Sequence, residues 1–378
     1  MRANAKNTIF KGDILSRLFF MNHSHIQAHF TKNSNDFVVS EIPLYEFSGS
    51  GEHLVLHVRK KNLTTWQMLK IFSQVSGANM RDFGYAGLKD KEGMTTQYIS
   101  IHKNYEKAFE NFTHADIKIL NSNYHDNKIK TGHLKGNRFF IRLKKVLSVD
   151  AFKIEEAFKR ISKEGYPNYF GYQRFGKNGD NFNEGRAILL GEKKERNRKV
   201  RDFLISAYQS ELFNRWLSKR VEISKYFESF GEKELAGVLN WDKEDIKNIK
   251  KQPQFFKLLA GDVCHHYPHG KAFICEDIDA EAQRFNAKEI TVTGWLIGGR
   301  TIKSCGLAGE IESEYFNEAE AFLEKLDGTR RFAWNFIENP EFKYKEEDAW
   351  VELAFTLTKG AYATVVLEEI LHKELGEQ

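Results

Sequence analysis

Short alternating apolar runs cluster near the two ends of the chain and flank a long middle without that period, which limits the fold more than any other feature. A strand sends successive side chains to opposite faces, so a half-buried strand reads with period two. Phe37–Ile42 (FVVSEI), His53–Val58 (HLVLHV), Gln97–His102 (QYISIH) and Arg138–Leu143 (RFFIRL) read this way, and Asp82–Ala86 is strand-like. Near the C-terminus Val351, Leu353, Phe355 and Leu357 share one face of a further strand, with Glu352, Ala354 and Thr356 on the other. A helix is expected from Thr64, with Gln67 completing a capping box, Trp66, Leu69 and Phe72 at helical spacing, and Gly77 as its terminating glycine. A second helix, capped by Asp150, carries Phe152, Ala157, Phe158 and Ile161 and ends by Gly165; a closing helix runs from about Ala361 to Leu375. In the middle, Asn168–Asn183 (NYFGYQRFGKNGDNFN) reads as a structured loop, and a helical pattern follows from about Arg196 to Lys219. Similar ends around a different middle predict an α+β fold: one sheet domain from residues 1–160 and 332–378, interrupted by an insertion at 161–331.

Charge sharpens the functional expectation. The 57 basic residues exceed the 52 acidic ones by only five, yet Glu192–Arg201 (EKKERNRKVR) alone holds six basic residues against two acids. Arg59–Lys61, Lys128–Lys135 and Arg138–Lys145 are further basic clusters beside aromatic or glycine residues. That mixture suits phosphate neutralisation and base stacking, so a nucleic-acid partner is expected. Three scattered cysteines, Cys264, Cys275 and Cys305, are too few for a disulfide framework and point to a reducing cytoplasm. Met1–Asp13 (MRANAKNTIFKGD) lacks the apolar core of a signal peptide, and no run approaches the ~20 apolar residues of a membrane span. His265, His266 and His269 are interrupted by Pro268 and followed by Gly270, so no metal site is expected there; neither a P-loop nor a GxGxxG motif occurs.

Two segments carry candidate chemistry. In Gly87–Leu88–Lys89–Asp90 a glycine turn between strands projects a carboxylate, and a lysine within about 4–6 Å would hold it ionised as a nucleophile. A plain solvated turn has the same composition. In Asn168–Gly176, amides, Arg174 and four rings suit a polar, planar or phosphorylated ligand, or equally a loop stapled by its own aromatics.

The ordered set of segments resembles the TruD family of tRNA pseudouridine synthases. It comprises Asp36–Glu41 (DFVVSE), Gly49–Leu54 (GSGEHL), Arg59–Lys61 with Thr64 and Thr65, and Gly84–Asp90 (GYAGLKD) with Thr95 and Gln97. Gly136–Phe139 (GNRF), Asn168–Gly176 (NYFGYQRFG), Ser206–Ser210 (SAYQS) with Phe213 and Asn214, Arg330–Arg331 and Lys359–Thr364 (KGAYAT) follow. The resemblance implies a pseudouridine-synthase catalytic domain with a mixed, mostly antiparallel sheet flanked by helices, and an inserted α/β TRUD domain. It implies conversion of a tRNA uridine, at position 13 in the D-arm, to pseudouridine by base flipping, with tRNA as partner and without cofactor, metal or protein partner. By position Asp90 matches the nucleophile, and Phe37, Asn137 and Tyr362 match residues that contact the target nucleotide; Gln97, Phe139 and Arg174 are further substrate-binding candidates. Where some members carry a lysine, six positions before Phe37, this chain has Thr31, so Lys32 and Lys89 are the candidates to steady Asp90. Action on another RNA, or RNA binding without catalysis on the same fold, are the alternatives.

Overall fold

In a computed structural model the described residues are 17–176 and 178–376, and they form two units, each taken by itself. One comprises Met21–Tyr166 and Asn335–Gln378; the other comprises Pro167–Trp334 and the segment up to Phe20. The stretch Met1–Asp13, read above for targeting signals, lies outside the described residues.

The first unit is built on an eight-stranded sheet. Its N-terminal strands are β1 (Phe37–Pro43), β2 (His53–Lys61), β3 (Gly84–Tyr85), β4 (Met94–His102), β5 (Ile117–His125) and β6 (Leu134–Leu143). From one edge the order is Glu338–Lys345, Trp350–Thr358, β6, β1, β4, β2 and β5, with β3 also paired to β4. β1 and β4 run parallel, and every other pairing in this sheet is antiparallel. The two C-terminal strands thus continue a sheet begun by the first 143 residues, which makes the fold α+β with a mixed, mostly antiparallel sheet.

Register determines what shares a face. Lys60 pairs with Thr95, Thr95 with Val39, Val39 with Phe139 and Phe139 with Phe355, so these five side chains form one row across the sheet. One step along, Val58 pairs with Gln97, and Glu41 pairs with Asn137, which pairs with Leu357. The helix α1 (Thr65–Ser76) covers this face over β2 and β4, burying Met68, Leu69 and Phe72 against Leu54, Leu56, Val58, Ile99 and Ile101. Each such side chain contributes ~1.5–3 kcal/mol on burial, which is what fixes an otherwise marginal twelve-residue helix in place.

Both ends of α1 are as its sequence predicts: Thr64 and Gln67 form the capping box and Gly77 takes the left-handed conformation at φ 75°. Its apolar face is shifted, because the stripe runs Thr65, Met68, Leu69, Phe72 and leaves Trp66 exposed. The helix α2 (Ser148–Glu164) departs similarly. Leu147 is its N-cap, and Asp150 sits inside the first turn, where a carboxylate complements the helix dipole. Phe152 is exposed; Ala151, Ile154, Ala157, Phe158 and Ile161 make the buried stripe. The closing helix is limited to Ala363–Leu371 and is buried throughout.

The second unit carries a four-stranded antiparallel sheet, ordered Thr329–Phe332, Ile290–Leu296, Val263–His266, Ala272–Ile274. A 32-residue helix, Arg198–Ser229, crosses it; its Trp216 and Phe213 lie so close to Gly294 that a Cβ there would meet the indole at 2.2 Å. This helix outruns the expected end at Lys219 because Arg220 is buried, with its guanidinium donating to both carboxylate oxygens of Asp262 at 2.5 and 2.8 Å. The loop expected over Asn168–Asn183 holds a short 3-10 turn at Tyr172–Arg174 and passes at Asn181 into a helix, Asn181–Leu190.

Candidate active site

The turn Gly87–Asp90 follows the short strand β3 and precedes β4, and it is tied down by backbone rather than by a hydrophobic anchor. The amide of Lys89 donates to the Thr65 hydroxyl at 2.9 Å, and the amide of Thr65 donates to the Lys89 carbonyl at 3.3 Å. The Thr65 hydroxyl in turn donates to Gln97 Oε1 at 3.0 Å. Beneath the turn the Lys60 ammonium donates to the Asp90 carbonyl at 2.7 Å and to the Leu63 carbonyl at 2.6 Å. Lys89 and Asp90 then part company. Lys89 is buried and points inward, while the side chain of Asp90 is exposed.

The inward lysine organises a polar cluster. Its Nζ lies 3.0 Å from Glu41 Oε2 and donates to Asn137 Oδ1 at 2.6 Å. The other Glu41 oxygen accepts from the Tyr98 amide at 3.2 Å. An ammonium has donors only, so the amide oxygen of Asn137 must face Lys89 and its NH2 is turned the other way. Glu41 is held above the ordinary carboxylate range by burial, with the Lys89 charge opposing that rise. Lys60, almost wholly buried, is drawn down from 10.5 to about 8 by burial; Asp90 counters the fall and Lys89 adds to it.

The expected site residues distribute unevenly around this cluster. Phe37 and Phe139 are buried neighbours with ring centroids 6.2 Å apart, and Phe37 also meets Phe30 edge-on at 5.8 Å. Gln97 is fully buried and supports the turn through Thr65. Lys32 has its ammonium 3.8 Å from Glu92, and its carbonyl accepts from the Gly93 amide at 2.8 Å. Tyr362 is half-buried at the N-cap of Ala363–Leu371, shortly after the strand whose Leu357 pairs with Asn137. Arg174 belongs to the other unit, where it donates to Ser206 Oγ at 2.6 Å and lies 5.7 Å from the Phe170 ring.

Three members of the cluster had no role assigned from sequence: Lys60, Glu41 and Thr65. Lys60 was grouped with the surface cluster Arg59–Lys61, and burial corrects that reading. Its signal was present, because Leu54, Leu56, Val58 and Lys60 follow one another with period two on a single face.

Chemically, the arrangement offers an exposed carboxylate on an anchored turn, an amide NH2 set by an ion pair, and aromatic side chains nearby. A sequence model of the family described as tRNA pseudouridine synthase D (TruD) matches residues 14–196 and 194–370. Proteins named tRNA pseudouridine synthase D are similar over almost the whole chain. One from Campylobacter jejuni is 55% identical, covering 100% of both chains. One from Nitratiruptor is 52% identical over 96% of this chain and 99% of its own, and one from Helicobacter pylori 47% over 94% and 96%. A crystal structure from Methanosarcina mazei, described as that of a putative tRNA pseudouridine synthase D (TruD), shares the fold, with a TM-score of 0.65 at 22% identity, covering 95% of this chain and 97% of its own.

Proposed function

This chain belongs to the tRNA pseudouridine synthase D family, an isomerase family, and we propose that it converts the position-13 uridine in the D-arm of tRNA to pseudouridine, with Asp90 as nucleophile. The observation that carries the proposal is the exposed Asp90 carboxylate on a turn held from below by Lys60, Thr65 and the Lys89–Glu41–Asn137 cluster.

The reaction breaks the N1–C1′ bond and forms C5–C1′, after which C5 loses a proton and N1 gains one. No atom is added and no electron is exchanged, so the chain's own groups suffice as the acting parts. The target base is first extruded from its stack at a cost of a few kcal/mol. Stacking on aromatic faces such as Phe37 and Tyr362 returns ~1–3 kcal/mol per base. The outward NH2 of Asn137 donates to a uracil carbonyl, and because Lys89 fixes the amide's orientation, little ordering cost falls on binding. Asp90 then attacks C1′, removes a ribose proton to give a glycal, or adds to C6; in each route the carboxylate must sit at one place relative to the sugar. Enclosure of the detached uracil keeps water from hydrolysing the intermediate. The basic tract Glu192–Arg201 supplies sequence-independent contacts to tRNA phosphates. Among the described residues no helix is long and apolar enough to cross a membrane, and the proposed place of action is the cytoplasm.

The test is tritium release from tRNA labelled at uridine C5. Wild type is expected to release it, and Asp90→Asn to release none while binding tRNA with near-normal affinity; substantial turnover by Asp90→Asn would remove Asp90 from this role. Mapping pseudouridine on total RNA from a deletion strain checks the target, and loss at an RNA site other than tRNA position 13 would refute that assignment.

A further inference from the structure

Resting on the reading of Asp90 as the nucleophile, we infer that Lys60 is a positioning residue that fixes the main chain of the Asp90 turn and so sets the direction of the carboxylate.

Lys60 occupies the inward phase of β2, after Leu54, Leu56 and Val58, at a position where a strand packed under α1 would ordinarily bury an apolar side chain. Burying a lysine there is costly unless its ammonium is satisfied. The two acceptors it finds are main-chain carbonyls from different places: Leu63, immediately before the N-cap of α1, and Asp90 itself. One ammonium therefore locks the β2–α1 corner to the residue bearing the carboxylate. The contact is to the carbonyl, so Lys60 does not occupy the carboxylate's own acceptor atoms; these remain outward for substrate.

The consequence for geometry is specific. The residue before Asp90 is fixed by two hydrogen bonds with Thr65, and the carbonyl after its Cα is fixed by Lys60. With both flanking peptide planes held, only side-chain rotation remains to Asp90. Without Lys60 the second plane is free to turn, and a displacement near 1 Å in a reacting group costs on the order of 100-fold in rate. Substrate binding, spread over aromatic, amide and phosphate contacts elsewhere, is expected to survive.

Titration gives an independent handle. The charged groups interacting with Lys60 are Asp90 and Lys89, and burial places its own proton loss near 8. As pH rises through that value the ammonium loses its charge and the clamp weakens, so the bond-making rate should fall on the alkaline side.

The experiment measures single-turnover tritium release with saturating enzyme, from about pH 6.5 to 9.5, alongside filter-binding affinity for tRNA and thermal melting. Wild type, Lys60→Met and Lys60→Arg are compared. Lys60→Met is expected to melt cooperatively, to bind tRNA within about twofold of wild type and to react ~10–100-fold more slowly at neutral pH. Its profile should lack the alkaline fall seen near pH 8 in wild type. Lys60→Arg, whose guanidinium stays charged throughout, should also lack that fall, and if Lys60→Met does not fold this profile alone decides. A folded Lys60→Met with wild-type rate, or an alkaline fall unchanged in Lys60→Arg, overturns the inference while leaving Asp90 in place. A wild type that releases no tritium at any pH overturns the functional reading and this inference together.

Discussion

Replacing Lys89 by methionine should destabilise the sheet unit strongly at neutral pH and much less in mild acid. The ammonium of Lys89 lies 3.0 Å from Glu41 Oε2, and the two side chains are 7% and 1% exposed. Removing one member of such a pair leaves a buried charge uncompensated, which typically costs ~3–5 kcal/mol. At ~2–4 °C per kcal/mol for a unit of this size, the melting temperature should drop by roughly 6–20 °C. The pH dependence follows from Glu41. Burial already holds its carboxyl above the ordinary value of 4.5 while Lys89 pulls it down, so loss of Lys89 raises it further. The folded variant therefore holds a proton that the unfolded chain has released, and the variant loses stability as pH rises from about 4.5 through the raised value. Urea unfolding followed by circular dichroism at about pH 5 and pH 8, for wild type and Lys89→Met, gives the stability difference at each pH. That difference should be markedly larger at pH 8, and in a Glu41→Gln background the lysine substitution should cost far less at pH 8. Equal losses at both pH values, or strict additivity with Glu41→Gln, would refute the account of a coupled buried pair.

Two further expectations concern other parts of the molecule. Neutralising Lys193, Lys194, Arg196 and Arg198 should weaken tRNA binding and reduce the salt slope of the binding constant by about one per lost phosphate contact, measured by filter binding at several salt concentrations. Gly136→Ala should destabilise the protein by ~1–3 kcal/mol, because an added Cβ would stand 2.1 Å from the Leu357 carbonyl in the neighbouring strand; thermal melting of the variant checks this.

What could be read in advance divides along the range of the interactions involved. The ends of α1 were legible because both are local: Thr64 and Gln67 bond reciprocally, and Gly77 supplies its own left-handed turn. The strands β5 and Glu338–Lys345 were not legible, since both are sheet edges with mostly exposed side chains and are held by backbone ladders to partners distant in sequence. Arg198–Ser229 was cut short for the same kind of reason: Arg220 reads as a surface residue until Asp262, 42 residues away, is brought beside it. At the site, the segments carrying Phe37, Asp90 and Asn137 were legible as an ordered set because each is a short contiguous motif. The support beneath them was not, because Lys60 answers main-chain carbonyls, which every residue possesses and no sequence advertises. The one trace it leaves is phase: a lysine continuing a period-two series of buried residues must meet acceptors inside, and on this face the carbonyls of Leu63 and Asp90 are the acceptors that meet it. Phase rather than composition separates the cases: within the basic run Arg59–Lys61, Lys60 faces inward onto main-chain carbonyls while Lys61 is exposed.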